Sequence, residues 1–209
     1  MIGGRLSMTV PATPAEDGPG TRLPFSVPFF EIGPKNMLRR PELHELLAAA
    51  QEHSRAYGVS VVATLPVTEI EPASAVFPDI FFFAQHMDRD LSGSSVGRVI
   101  AEALVDAGAD GVMLYEPRAM IGHSGGARRP WIPAMNALVR SVAPGTLVMH
   151  AGGAATVQEA GDVIHAGAAG TGATSAIIKA SDRGATIEGF LRAIRNTWDA
   201  DHPGPLRAR

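Results

Sequence analysis

The chain has 209 residues, a formal net charge of -3 and no cysteine, and its length suits a single domain. The lack of cysteine excludes a disulfide scaffold, a thiolate-bound metal and a thiol nucleophile. The mild acidity argues against a nucleic-acid partner, because phosphate contacts need a basic face. No apolar run is long enough for a membrane span, and no signal-peptide core opens the chain. We therefore expect no membrane partner and a cytoplasmic location.

Both ends of the chain differ in composition from its middle. Residues 1–28 are rich in turn-forming residues and have no apolar periodicity, which predicts a flexible N-terminal arm. Residues 199–209 are equally irregular and are predicted to form a C-terminal tail. A single domain is therefore predicted over residues 29–198.

Six short apolar runs within this domain are typical of strands that are buried on both faces of a parallel sheet. These predicted strands cover residues 29–33, 59–65, 80–84, 111–115, 146–150 and 173–178.

Amphipathic helices are predicted between the apolar runs, because apolar residues recur there at helical spacing. The apolar stripes cover residues 43–57, 96–107, 131–142, 156–166 and 187–198. Glycine follows three of these stripes, at Gly58, Gly108 and Gly167, and is a common helix terminator. Thr156 and Glu159 have the spacing of a capping box. Residues 66–78 are predicted to contain one further short helix.

Strands that alternate with helices predict parallel βα units with right-handed crossovers. Two architectures are compatible with this alternation, a closed barrel and an open flavodoxin-like sheet. In both of them ligands bind at the carboxyl ends of the strands. The polar residues predicted at those ends are Lys35, Gln85, His86, Glu116, His150 and Ser175.

Residues 115–125 read Tyr-Glu-Pro-Arg-Ala-Met-Ile-Gly-His-Ser-Gly, so that a strand-end carboxylate is followed by proline and a glycine-containing loop. This segment resembles the triosephosphate isomerase signature, whose Glu-Pro-x-x-x-Ile-Gly stretch carries the catalytic base and its closing lid. The resemblance implies that Glu116 is the base and that Gly122 contacts phosphate. A carboxylate that removes a proton next to a carbonyl group needs a raised pKa and exclusion of water, and an adjacent mobile loop provides both.

Further segments resemble the same family in chain order. Residues 83–88 and 92–97 are similar to the third unit of archaeal-type triosephosphate isomerases, whose loop contacts a neighbouring subunit. Residues 150–154 resemble the glycine turn after the family's penultimate strand, and residues 174–182 resemble its last strand and phosphate-binding turn. The resemblance implies a homo-oligomer with residues 86–97 at the interface. It implies phosphate binding at Gly152, Gly153, Ser175 and Ala176.

Lys35 lies where the first strand of the family ends in Asn-x-Lys, and this chain has Gly33-Pro-Lys35. The family's lysine neutralises substrate charge. Only two of the 18 basic residues are lysine, Lys35 and Lys179. Because arginine and lysine are not interchangeable, a lysine at this position favours a functional role.

Three departures from the family pattern limit the functional prediction. No segment matches the family's electrophilic histidine, and the simplest account is a barrel shortened by about two βα units. An alternative register puts Glu116 itself at the histidine's position. Gly33 stands in place of asparagine, and the lid and glycine turn carry His123, Ser124 and Ala154 where the family has other residues. Another group must then polarise the carbonyl oxygen, and His150 or His86 is the candidate.

The sequence therefore predicts an α/β protein with a parallel, TIM-barrel-like fold of about six strands. We expect an isomerase or epimerase acting on a small phosphorylated carbonyl compound other than the parent triose phosphates. Its predicted catalytic residues are Glu116, Lys35 and His150. No cofactor is expected and no metal site, because no His/Asp/Glu cluster has ligand spacing. The alternatives are a non-catalytic phosphometabolite-binding or interaction protein of the same descent, and a Schiff-base lyase using Lys179 or Lys35.

Overall fold

The structure is a computed structural model. It describes residues 24–88, 93, 94, 96–113, 141, 147–150 and 154–203. In these residues the parallel strands are β1 (Phe29–Ile32), β2 (Ser60–Leu65), β3 (Ile80–Ala84), β4 (Gly111–Val112), β5 (Met149–His150) and β6 (Gly170–Gly172). The helices are α1 (Arg40–Tyr57), α2 (Val67–Ser74), α3 (Ala101–Asp106), α4 (Val157–His165), α5 (Ser175–Ile178) and α6 (Arg183–Asp201).

The strand order decides between the two predicted architectures. The sheet runs β4-β3-β2-β1-β6-β5, so each crossover within the described residues moves the chain to an adjacent strand in the same direction. A doubly wound sheet instead reverses direction at a switch point. The winding is therefore that of a barrel, and the predicted TIM-barrel-like fold with six parallel strands is confirmed. Residues 114–146, which connect the two end strands β4 and β5, lie outside the described residues except for Ser141.

The helices of the described residues pack on one face of this sheet. One buried cluster joins the helix-facing strand residues, such as Phe30, Val61 and Phe82, to the apolar stripes of the helices. The ring of Phe30 stacks on Phe190 of α6, with their centroids 5.3 Å apart. Helices on a single face leave the other face of a parallel sheet to line the interior, as in a barrel.

The ends of the longer helices follow the predicted signals. The N–H of Arg39 donates to the Glu42 carboxylate (3.2 Å) at the start of α1, and α1 ends at Gly58, whose φ is 62°. At the start of α4 the predicted capping box is confirmed: the Glu159 N–H donates to Thr156 Oγ1 (3.2 Å), and the Thr156 N–H donates to Glu159 (3.0 Å). Caps of this kind satisfy backbone groups that the helix itself leaves without partners.

The last predicted strand, residues 173–178, is wrong. The strand β6 comes earlier, at Gly170–Gly172, and Ser175–Ile178 form the short helix α5. The space that side chains at Gly170 and Gly172 would occupy is filled by the side chains of Phe29 and Glu31 from β1, respectively. The strand therefore has no apolar side chains of its own to reveal it.

Other boundaries also differ from the prediction. The helix α3 is shorter than its apolar stripe, because Val96 lies before the helix and is 93% exposed. The helix α6 continues to Asp201, three residues beyond the predicted end of the domain at residue 198. The predicted helix within residues 66–78 is confirmed as α2. The predicted helix over residues 131–142 falls outside the described residues, except for Ser141.

The inner face of the sheet begins with an aromatic floor made of Phe25, Phe29, Phe81 and Phe83. The ring centroid of Phe25 lies 4.9, 5.3 and 6.1 Å from those of Phe29, Phe81 and Phe83, respectively. Phe25 precedes β1 and belongs to the segment predicted as an arm. The end of this segment therefore packs against the interior near the amino ends of the strands.

Replacing Phe25 by alanine is expected to lower the free energy of unfolding by about 2 kcal/mol, since a half-buried phenyl ring loses part of the effect of a fully buried one. Urea denaturation measures this change, and Val76→Ala is the control because Val76 is 54% exposed. Equal stability of the two variants would show that Phe25 does not pack in the interior in solution.

Candidate functional site

A side-chain hydrogen bond joins the carboxyl ends of β1 and β6. Thr174 Oγ1 donates to the backbone oxygen of Gly33 at 3.0 Å, and the Ala173 N–H donates to the backbone oxygen of Glu31 at 3.1 Å. The loop that follows each strand therefore starts beside the other loop. Lys35 comes two residues after Gly33, and Ser175 comes directly after Thr174, so the structure brings these predicted site residues to one edge of the sheet.

Lys35 occupies a strained turn at this edge. Its φ is 55°, in the left-handed region that residues other than glycine seldom adopt. The Met37 N–H donates to the Pro34 oxygen at 3.1 Å and closes the turn around Lys35. Lys35 is exposed, whereas Gly33 and Pro34 are buried. Strained residues of this kind are common at functional sites, which supports the predicted role of Lys35.

Ser175 and Ala176 are the first two residues of α5. The N–H groups of Ile177 and Ile178 both donate to the backbone oxygen of Thr174, at 3.1 and 2.9 Å. The N–H groups of the residues that begin a helix have no acceptor within that helix. The backbone at Ser175 and Ala176 can therefore offer donors to an anion beside Lys35.

His150 does not share the inner face of the sheet. It pairs in register with Thr171, which in turn pairs with Phe30, and Phe30 belongs to the helix-facing core. Its neighbour Met149 belongs to the inner cluster instead. By alternation His150 lies on the helix-covered side, so the structure does not bring it to Lys35, and its catalytic role stays a prediction. His86, the other candidate, follows β3 and is exposed.

Several predicted site residues lie outside the described residues. They are Glu116, Gly122, Gly152 and Gly153. Their roles as base and as phosphate-binding amides stay predictions.

The carboxylate of Glu31 was not predicted as part of the site. Glu31 lies on the inner face of β1 and is 7% exposed. Its Oε1 lies 2.8 Å from the position that a Cβ at Gly33 would take, and its Oε2 lies 2.7 Å from the corresponding position at Gly172. The carboxylate thus fills the space that two glycines leave open. The sequence signal for it is a charged residue within a run that is otherwise apolar.

The segment predicted to contact a neighbouring subunit is closed at its base. Asp88 and Val99 exchange two hydrogen bonds of 2.7 Å, one from each backbone N–H, and Arg98 lies 3.2 Å from Asp88. The Val99 N–H, and then the Arg98 charge, hold the pKa of Asp88 below its usual value. The ionised form therefore stabilises the folded state above the ordinary pKa of about 3.9. That contribution disappears as the pH falls through the lowered pKa.

A surface cavity of about 510 Å³ lies between the N-terminal ends of α1 and α6. Its charged lining residues are Glu42, Glu45, Asp182 and Arg183. Because carboxylates predominate, this cavity is unsuited to a phosphate group. The strand ends at Lys35 are the better candidate for an anion.

Within the part of the chain that the structure describes, no group of three or more His, Cys, Asp or Glu side chains is arranged to hold a metal ion. No helix described there combines the length and apolar character needed to cross a membrane.

A model of the triosephosphate isomerase family matches residues 34–125, a range that includes Lys35 and Glu116. Over these residues the chain is similar to the triosephosphate isomerase family. Over 70 residues it is 33% identical to the triosephosphate isomerase of Sulfurisphaera tokodaii and 31% identical to that of Sulfolobus acidocaldarius. Each of these matches covers 34% of this chain and 30% of the relative's length.

The structure is similar to a triosephosphate isomerase from Bartonella henselae. The two chains superpose with a TM-score of 0.56 at 13% sequence identity, covering 80% of this chain and 99% of that chain. At this identity the similarity shows a shared fold alone. The fold agrees with the barrel winding of the six strands.

Proposed function

We propose that the chain is a triosephosphate-isomerase-like enzyme that acts on a small phosphorylated carbonyl compound. The observation that carries the proposal is the hydrogen bond between Thr174 and Gly33. This bond joins the ends of β1 and β6. The loop after β1 carries Lys35, which is expected to neutralise substrate charge, and the loop after β6 carries the expected phosphate-binding turn. A cation and the first backbone amides of a helix at one edge of a parallel sheet suit a phosphate group.

The loops after β1 and β6 both bind the phosphate group. Lys35 supplies the positive charge, and the backbone N–H groups of Ser175 and Ala176 donate hydrogen bonds. The family resemblance adds the amides of Gly152 and Gly153 from the neighbouring strand end and that of Gly122 from the lid. Hydrogen bonds to a charged group are stronger than neutral ones, so a few donors suffice to orient the ligand.

Glu116 is the residue that transfers the proton. Its carboxylate removes a proton from the hydroxyl-bearing carbon next to the carbonyl group, and the electron pair moves onto the carbonyl oxygen to give an enediolate. Isomerisation follows when the hydroxyl proton moves to the former carbonyl oxygen and the carbon-bound proton is returned to the former carbonyl carbon. Returning the proton to the other face of the original carbon epimerises it. The parent triose phosphate reaction is not proposed, because the family's histidine segment has no counterpart in this sequence. Because His150 lies on the helix-covered side of the sheet, His86 is the remaining histidine candidate to polarise the oxygen.

We also propose that the chain forms a homo-oligomer through residues 86–97. Val96 in this segment is 93% exposed, and Asp88 and Val99 fix the base of the loop. An exposed apolar side chain on a loop with a fixed base is suited to a contact with a second copy. Light scattering tests this proposal, and a monomer at micromolar concentration would contradict it.

The two lysines provide the experiment for ligand binding. Dihydroxyacetone phosphate and glyceraldehyde 3-phosphate serve as probes, since ligand at about 100 times its Kd stabilises a protein by about 2.7 kcal/mol. We expect Lys35→Met to weaken probe binding by about 10–100-fold, because it removes a hydrogen bond to a charged group. Lys179→Met is the matched control and should bind as the wild type does.

Thermal shift and isothermal titration calorimetry both measure this difference. Equal binding by the two lysine variants would contradict a role for Lys35. Binding of the probes without any exchange of the proton next to the carbonyl would favour the non-catalytic alternative.

A further inference from the structure

A group of polar side chains lies beside the aromatic floor on the inner face of the sheet. We call Glu31, Thr64, Gln85 and Thr174 the inner polar layer. Glu31 and Thr64 lie on β1 and β2, Gln85 directly follows β3, and Thr174 follows β6. The pairings Glu31 with Val62 and Thr64 with Phe83 place these residues on the same face as the aromatic floor. Their positions are nearer the carboxyl ends of the strands, on the side of Lys35.

Among the residues that the structure describes, two atoms of the inner polar layer have no hydrogen-bond partner. Thr64 Oγ1 and Gln85 Nε2 are buried, and no residue that the structure describes forms a hydrogen bond with either atom. Thr64 is only 5% exposed. Because a buried polar atom without a partner is unfavourable, these atoms are suited to partners that a ligand brings.

Glu31 gives the inner polar layer its charge. An ionised carboxylate only accepts hydrogen bonds, and its two oxygens offer about four acceptor positions. Glu31 already interacts with other groups of the protein, and its remaining positions can accept from a ligand hydroxyl. A hydroxyl group can donate to Glu31 and can both accept from and donate to Thr64.

Gly33 leaves open the space that the Glu31 carboxylate fills. A Cβ at residue 33 would lie 2.8 Å from Glu31 Oε1, so a larger residue there would require the end of the Glu31 side chain to shift. The resemblance places asparagine at this position in the family, and the glycine of this chain lets the carboxylate stay where it is.

We propose that the inner polar layer is a subsite for the hydroxyl groups of the ligand. Glu31 accepts a hydrogen bond from one hydroxyl, and Thr64 exchanges a hydrogen bond with the same or the next one. The hydroxyl-bearing end of the ligand then points into the interior while its phosphate lies at Lys35. This inference depends on the proposed function only for the position of the phosphate group at Lys35.

Two phosphate esters that differ only in their hydroxyl groups test the subsite. The probes are glycerol 3-phosphate and propyl phosphate, neither of which has a carbonyl group to react. Isothermal titration calorimetry compares the wild type, Thr64→Val, Glu31→Gln and the control Glu102→Gln, which changes an exposed carboxylate on α3. We expect the wild type and the control to bind glycerol 3-phosphate about tenfold more tightly than propyl phosphate.

The variants should lose this discrimination selectively. Thr64→Val should weaken glycerol 3-phosphate binding by about fivefold and Glu31→Gln by about tenfold, and neither should change propyl phosphate binding. Thr64→Val should keep the wild-type melting temperature, because its hydroxyl has no partner to lose among the described residues. A residue that only supports the fold would affect the two esters equally.

The outcomes separate this inference from the proposed function. If both esters bind equally well, or if both variants keep the wild-type preference, the subsite is refuted while phosphate binding stands. If neither ester binds the wild type, the phosphate site is refuted and the subsite with it. Lys35→Met should weaken both esters by the same factor, since it acts on their shared phosphate.

Discussion

Replacing Gly170 by alanine is expected to lower the free energy of unfolding by about 3 kcal/mol, at the upper end for overpacking a core. The new Cβ would lie 2.6–2.7 Å from three atoms of the Phe29 ring. That ring is 4% exposed and is packed against Phe25, so it cannot turn away. The variant must instead separate β1 from β6, whose pairing brings the loops that carry Lys35 and Ser175 to one edge of the sheet.

Gly184→Ala is the matched control for this prediction. The nearest atoms to a Cβ there are Asp182 Oδ1 at 3.5 Å and Ala49 Cβ at 3.7 Å, which are ordinary contacts. Gly184 lies in the first turn of α6, where alanine should keep the stability or raise it by up to about 1 kcal/mol. Urea denaturation of both variants measures the difference. Equal stabilities would contradict the packing of β1 against β6.

Replacing Glu116 by glutamine is expected to slow proton exchange at the carbon next to the carbonyl by about 1,000-fold, within the range for removing a general base. The amide keeps the size of the side chain and loses the ability to accept the proton. The measurement is deuterium incorporation into dihydroxyacetone phosphate from D2O, followed by NMR. This compound carries the reactive group even where the true substrate is larger.

The same assay on Glu102→Gln controls for a change of charge alone, because Glu102 is exposed on α3. Equal exchange rates in Glu116→Gln and the wild type would exclude Glu116 as the base. A loss of dihydroxyacetone phosphate binding in Glu116→Gln would instead assign the residue to ligand recognition.

Much of the fold could be predicted because local signals and burial agree in it. The apolar runs at β1, β2 and β3 and the capping box at Thr156 indicate the correct elements, and their alternation predicts a parallel sheet. The strand β6 was missed because its interior positions are glycines over which Phe29 and Glu31 pack. When side chains of the neighbouring strand cover the glycines of a strand, that strand has no apolar pattern by which to predict it.

The candidate site could be predicted only in part. The scarcity of lysine draws attention to Lys35, and the loop that carries it starts next to the loop that carries Ser175. The side of the sheet that His150 occupies depends on the register of β5 with β6. The local sequence around His150 does not predict this register. Glu31 was overlooked for a related reason, since a nearly continuous apolar run does not show which of its positions face the interior.

Protection of the two lysines by a ligand tests the central claim, that the carboxyl ends of these strands hold a phosphorylated carbonyl compound. The wild-type protein is acetylated with an N-hydroxysuccinimide ester with and without dihydroxyacetone phosphate, and mass spectrometry follows Lys35 and Lys179. With ligand at about ten times its Kd, acetylation of Lys35 should slow by about tenfold, because the free state is then about a tenth of the protein. Acetylation of Lys179 should keep its rate. Equal rates at Lys35 with and without ligand, or equal slowing of both lysines, would contradict the account.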